Sequence, residues 1–193
     1  MTNKPFITKT MKDKGCRDAI IKWKEDLDEN RGARARLRRC REPMQVLLHS
    51  SFYQLRESLP DWPPKQSLAL AAIAGLIANT DKKDVNISSM SFPQQLGSST
   101  TEGGPPLMSE TRFRQLIKSR DWPEFYRRMR RAIKMAKSNV NILSIADFVL
   151  QFGFEQQGFL PHKPSHGFQF RFAEDYFEAR LNKAKTKGKK EAS

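Results

Sequence analysis

The chain lacks most of what an exported, membrane-bound or catalytic protein needs. Only two cysteines, Cys16 and Cys40, occur in 193 residues, too few for a disulfide framework. Cys40 ends an apolar helical stripe and is expected to be a buried free thiol. The longest apolar run, Leu68 to Ala78, is about half the ~20 residues that a bilayer core requires, so no membrane association is expected. No apolar secretory segment follows the basic N-terminus, and the expected compartment is the cytoplasm. Phosphate-cradling glycine loops, a nucleophile elbow and paired carboxylates on one helix face are missing, which removes the commonest enzyme frameworks. His162 and His166 stand four apart, but Pro164 between them opposes the helix that would aim both at a zinc ion. His49, Cys16 and Cys40 show no ligand spacing either. A metal-dependent nuclease needs clustered carboxylates, and acids are scarce exactly where the chain is most basic. The expectation is therefore no catalytic residue, no metal, no cofactor and no small-molecule substrate.

Strand signals are nearly absent, while helical periodicity recurs. The spacing predicts helices over about 18–29, 31–41 and 43–55, a central helix over the apolar run Leu68 to Ala78, and a short helix or turn at Ser91–Leu96. Beyond the loop at 97–106, which reads GSSTTEGGPP, helices are predicted from Ser109, from Asp121 to about Lys137, from Ser144 to a stop at Gly153, and over about 170–183. Residues 154–167, with two prolines and two glycines, are expected to be an extended loop. The fold class is all-α, with two small helical bundles joined by a Gly/Pro/Ser-rich loop near residue 100. The boundaries are a basic flexible extension at 1–14, a first bundle at 15–96, a linker at 97–107, a second bundle at 108–182 and a basic tail at 183–193.

What the chain has in excess is arginine. The net charge is +14. Residues 31–41 hold six arginines and no acid, and residues 112–137 hold ten Lys/Arg against only Asp121 and Glu124. On a helix, Arg31, Arg34, Arg38 and Arg41 share one side, opposite Ala33, Leu37 and Cys40, and are expected to face outward. Arg127, Arg130, Arg131, Lys134 and Lys137 occupy the face opposite Phe125, Met129, Ala132 and Ala136. Guanidinium stays charged and forks onto phosphate oxygens, so rows of arginine on rigid helices suit a polyanion, and nucleic acid is the partner indicated. The aromatics Trp23, Phe52, Tyr53, Phe113, Phe125 and Phe148 fall on apolar stripes and are expected in the core. Phe159, Phe168 and Phe170, in or beside the Pro/Gly loop, have no such stripe and could stack a base, dock a partner or tuck beneath the loop.

Five segments then occur in a fixed order: Arg31-Gly-Ala-Arg-Ala-Arg-Leu-Arg-Arg-Cys40, Ser51-Phe-Tyr-Gln-Leu55, Arg112-Phe-Arg-Gln-Leu-Ile117, Tyr126-Arg-Arg-Met-Arg-Arg-Ala132, and Val140-Asn-Ile142 with Ala146-Asp147-Phe148. This order resembles CasB, the small subunit of Cascade, the type I-E CRISPR surveillance complex, over about residues 17–180. The resemblance implies a non-catalytic all-helical subunit, present as two copies head to tail. Its implied partners are the other Cascade protein subunits that hold the guide RNA, and the target and displaced non-target DNA strands of the R-loop. Position by position it carries over Arg38, Arg39, Arg112, Lys118, Arg120, Arg130 and Arg131. Helical geometry alone adds Arg31, Arg34, Arg127, Lys134 and Lys137. The lysine-bearing N-terminal extension, the 154–167 loop and the basic tail depart from the family pattern. A pure assembly subunit, whose arginines meet acidic neighbours, is the rival reading. A helix-turn-helix regulator is disfavoured because the helix from Asp121 places its cations in its middle and end rather than at its start.

Overall fold

A computed structural model describes residues 8–81, 89–101, 104–136 and 140–190, with side chains to residue 181. The described residues hold eleven α-helices and no strand. None of these helices is long and apolar enough to cross a membrane.

The first half contains α1 (Lys9–Lys12), α2 (Lys14–Glu29), α3 (Arg31–Arg39), α4 (Pro43–Val46), α5 (Ser50–Glu57), α6 (Ser67–Ile77) and α7 (Phe92–Gly97). Side-chain caps start several of them, satisfying backbone N–H groups that lack a helical partner. Asp13 accepts from Cys16 N at 2.8 Å to open α2, and Asn30 accepts from Ala33 N at 3.0 Å to open α3. Ser91 and Gln94 form a reciprocal capping box on α7. The single helix expected over 43–55 is instead two, because His49 is extended (φ −114°, ψ 133°). Val46 and Leu55 are both fully buried. In one helix, advancing about 100° per residue, nine residues would place them on opposite sides. The break turns both inward and leaves Leu48 exposed.

The second half contains α8 (Glu110–Ile117), α9 (Trp122–Ala136), α10 (Ile142–Gln156) and α11 (Phe168–Lys190). Asn141 caps α10 by accepting from Ser144 N at 2.9 Å. Gly153 does not end this helix. A Cβ there would stand 2.4 Å from Gln66 Oε1 and 3.0 Å from Ala69 Cβ, so glycine is what lets α10 lie against the start of α6. The helix stops at Gly158 (φ 82°), where Phe159 N donates to Phe154 O at 3.0 Å, a glycine-terminated end. The expected loop over 154–167 therefore starts as helix and contains a 3₁₀ turn at Pro164–His166.

Packing crosses the 97–107 segment. α6 lies against α10 and α7 against α11, and one hydrophobic cluster runs from Met11 to Tyr176. α6 is buried along its length from Ala69, and α10 from Ile142 to Gly153. Around α10 the core is aromatic: Phe125 stacks on Phe152 at 3.9 Å, Phe113 on Tyr176 at 4.0 Å, and Phe168 meets Phe125, Phe148 and Phe152 edge-on. Phe168 thus tucks under the loop, whereas Phe159 and Phe170 stay exposed, as does Tyr53 among the expected core rings.

Residues 8–14, expected to lie in a flexible extension, carry α1 and the start of α2 and contact α10. Thr8 donates from its backbone N and its Oγ1 to Asp147 Oδ1, at 2.9 and 2.7 Å, and Met11 is fully buried. The sequence signal is weak because Met11 is the one buried apolar residue of α1 and Thr8 is tied to a residue 139 positions away. Both cysteines are buried free thiols. Burial pushes the Cys16 thiol up to about 11, with Asp13 adding to the effect, and burial raises Cys40 as well.

Two outcomes follow from this packing. Gly153→Val overfills the α6–α10 contact and is expected to cost about 1 to 3 kcal/mol in urea denaturation. Both thiols should alkylate slowly in the native protein at pH 8 and promptly once unfolded, because the thiolate is the reactive form; fast native labelling of Cys16 would contradict the burial seen here.

Candidate nucleic-acid interface

The outer face of α9 is dictated by its inner one. Asp121 caps the helix by accepting from Glu124 N at 2.8 Å. Phe125, Tyr126, Met129, Ala132, Ile133 and Ala136 are buried, which forces Arg127, Arg131 and Lys134 outward at i, i+4 and i+7. All three are exposed. Lys137 lies outside the described residues.

The two basic stretches meet through Arg130. Its guanidinium donates to Cys40 O at 2.9 Å and Arg38 O at 2.8 Å, the last carbonyls of α3, and its carbon lies 5.9 Å from the Tyr126 ring centre. A cation at a helix C-terminus satisfies orphan carbonyls and opposes the negative end of the helix dipole. Arg130 is therefore a strut that fixes the end of α3 against the middle of α9. As a result Arg38 and Arg39, both exposed on the last turn of α3, stand beside the α9 row. Arg31 continues this line two turns back along α3 and is also exposed.

Arg34 departs from the expected outward row. It is half-buried, its Nε lies 3.1 Å from Asp28 Oδ1, within ion-pair reach though off hydrogen-bond geometry, and it donates to Thr80 O. Asp28 also pairs with the fully buried Lys24, which donates to Asp81 O at 3.0 Å. Asp28, the acid drawing Arg34 inward, sits just before the arginine run, on the preceding helix.

Arg128 has an internal role too. It pairs with Glu124 at 2.7 Å and donates to Gln115 O, tying α8 to α9. That tie brings Lys118 and Arg120, both exposed, to the N-terminal end of the α9 row. Arg112 is exposed on α8, but among the described residues no hydrogen bond or ion pair links it to the row. Its neighbour Arg114 pairs with Glu110, which Arg180 also reaches at 3.1 Å. The Arg114 hydrogen bond, with Arg180 behind it, holds the Glu110 carboxyl below its ordinary range. Side chains of Arg31, Arg38, Arg39, Lys118, Arg120, Arg127, Arg131 and Lys134 have no acid partner among the described residues. Arg36 and Arg41, exposed on and just beyond α3, add to the same charge.

The chain matches the family described as CRISPR-associated protein Cse2 over residues 33–177. It belongs to the Cse2 family. Cse2 is the small subunit of type I-E Cascade, also called CasB, so the five-segment resemblance and the family match agree. A Cse2 chain is a structural subunit of a CRISPR defence complex, assembled with other Cascade subunits. No curated protein and no solved structure matches the chain. The Cse2 match begins within α3 and ends within α11, so it takes in Arg38, Arg39, Lys118, Arg120, Arg127, Arg131 and Lys134, together with the strut Arg130, and leaves out Arg31.

Strut and surface cations should separate by stability. Arg130→Ala, which strips two carbonyls of a charged donor, is expected to cost about 2 kcal/mol. Arg39→Ala or Arg131→Ala should stay within about 0.5 kcal/mol of the parent. Equal losses in chemical denaturation would remove the distinction.

Proposed function

We propose that this Cse2 subunit binds nucleic acid without sequence preference and stabilises the R-loop of a type I-E Cascade complex, holding the target and displaced strands through their phosphates. The observation that carries the reading is the row of cations Arg38, Arg39, Arg127, Arg131 and Lys134, which have no acid partner among the described residues and are assembled from two helices by Arg130. Surface cations that serve solubility are normally interleaved with acids; these are not. Contacts to phosphate fix position and carry no sequence information, which suits a complex whose guide RNA reads sequence by base pairing. Lys118 and Arg120 extend the row, and Arg31 prolongs its α3 arm. Arg112 belongs to the same proposal on the family resemblance alone. Arg34 and Arg130 support the surface from within.

In this reading the subunit is not catalytic, works in the cytoplasm and sits as a head-to-tail pair beside the subunits that hold the guide RNA. Two copies end to end would lengthen the cationic row along the opened DNA.

Arg38→Ala with Arg39→Ala, and separately Arg127→Ala with Arg131→Ala, should leave the complex assembled while weakening retention of target DNA. Each lost phosphate contact should flatten the dependence of log affinity on log salt by about 0.7 to 0.9. Unchanged retention and slope in both double variants would reject the reading. Loss of assembly instead would show that these arginines meet acidic neighbouring subunits.

A further inference from the structure

Large apolar side chains left in water gather on this chain in two places. Met44, Leu48 and Tyr53 lie at the corner between α4 and α5, and Phe159, Leu160 and Phe170 lie on the loop between α10 and α11 and the start of α11. Leu48 is 83% exposed and Leu160 73%. Among the described residues Leu181 is the one other large apolar side chain so exposed. Single exposed apolar residues need no explanation, but grouped ones mark an interaction surface.

Hydrogen bonds hold both places in shape. At the corner, Arg41 N donates to Gln45 Oε1 at 2.7 Å, and Trp23 Nε1 donates to Ser51 O at 2.9 Å, fixing the starts of α4 and α5. On the loop, Leu160 N donates to Gly158 O at 3.0 Å, Gln151 donates to His166 O, and Glu155 accepts from Phe168 N at 2.6 Å. Such surfaces lose little conformational entropy when covered. Their shapes also differ. Leu48 projects from the corner, whereas Leu160 and Pro161 stand between two hollows of about 470 and 530 Å³, since both residues line each. One surface offers knobs and the other offers holes.

Charge decides which surface meets which. Once the arginine run ends at Arg41, residues 42–61 hold three acids, Glu42, Glu57 and Asp61, against Arg56 alone. Glu57 stands four residues after Tyr53 on α5, and both are exposed, so they share a side of that helix. Residues 159–171 hold Lys163 and Arg171 and no acid, and exposed Lys9 and Lys12 line the first hollow. Like surfaces brought together would set cation on cation or acid on acid; only unlike surfaces pair apolar with apolar and acid with cation. The contact is therefore heterologous, running from the head of one copy to the tail of the next.

We propose that the α4–α5 corner of one copy docks on the α10–α11 loop of a second copy, with Leu48 and its neighbours entering the hollows beside Leu160 and Glu57 facing Lys9 and Lys12. The inference rests on the head-to-tail pair of the reading above and adds the two surfaces that make it. Neither surface includes a residue of the arginine row, so pairing and phosphate binding fail separately.

The test traps the contact between two full-length variants, Leu48→Cys and Leu160→Cys, purified free of nucleic acid and oxidised apart or mixed. Both sites are exposed, and the native thiols are buried. A covalent pair should form in the mixture and not in either variant alone. Adding Glu57→Lys to the Leu48→Cys chain should lower the yield about tenfold through like-charge repulsion, and Lys9→Glu with Lys12→Glu in the other chain should restore it. No pair in the mixture would overturn the proposal. So would equal pairing in each variant alone, a yield indifferent to Glu57→Lys, or capture of a different Cascade subunit by Leu160→Cys in the assembled complex. Normal trapping in an Arg38→Ala/Arg39→Ala background that still retains DNA would remove the phosphate reading at those positions and keep this one. Failed trapping beside a normal loss of DNA in that background would do the reverse.

Discussion

A helix that is apolar on every side cannot rest at a surface, and α6 imposes that constraint on the whole chain. Its buried residues are mostly small, Ala69, Ala71, Ala72, Ala74 and Gly75 among them, so neighbouring helices come close from several directions. α3, α4 and α5 pack on it from the first half, α9 and α10 from the second. The hydrophobic driving force, about 25 cal/mol per Å² of apolar surface removed from water, is thereby concentrated on one element. Everything exposed is a consequence. Once α9 commits Met129, Ala132 and Ala136 to the core, its cations have only solvent to face. Because α3 packs on the same α6, its end is delivered to α9, where Arg130 secures it.

Charge density along the chain and charge availability on the surface are different quantities. Arg34, Arg128 and Arg130 lie within the same runs as Arg38, Arg127 and Arg131, yet they are engaged by Asp28, by Glu124 with Gln115 O, and by the α3 carbonyls. What separates the two groups is whether a carbonyl or carboxylate comes within reach once the helices pack. Each engaged arginine also builds the surface that the free ones occupy. Arg128 sets the α8–α9 turn and Arg130 sets the α3–α9 junction.

Helical periodicity made α2, α3, α6, α8 and α9 legible in the sequence, because each has a clean apolar stripe or is apolar throughout. Legibility failed where a residue answers to a distant neighbour. Gly153 looks like a helix stop until Gln66 and Ala69 are seen against it. Thr8 looks like part of a solvated tail until Asp147 accepts its two hydrogen bonds. Phe168 and Phe159 sit in the same proline- and glycine-rich stretch, and only packing decides that one is core and the other exposed. The outward row on α9 was readable because burial of one face determines the other. The inward turn of Arg34 was not, since its partner Asp28 belongs to the preceding helix.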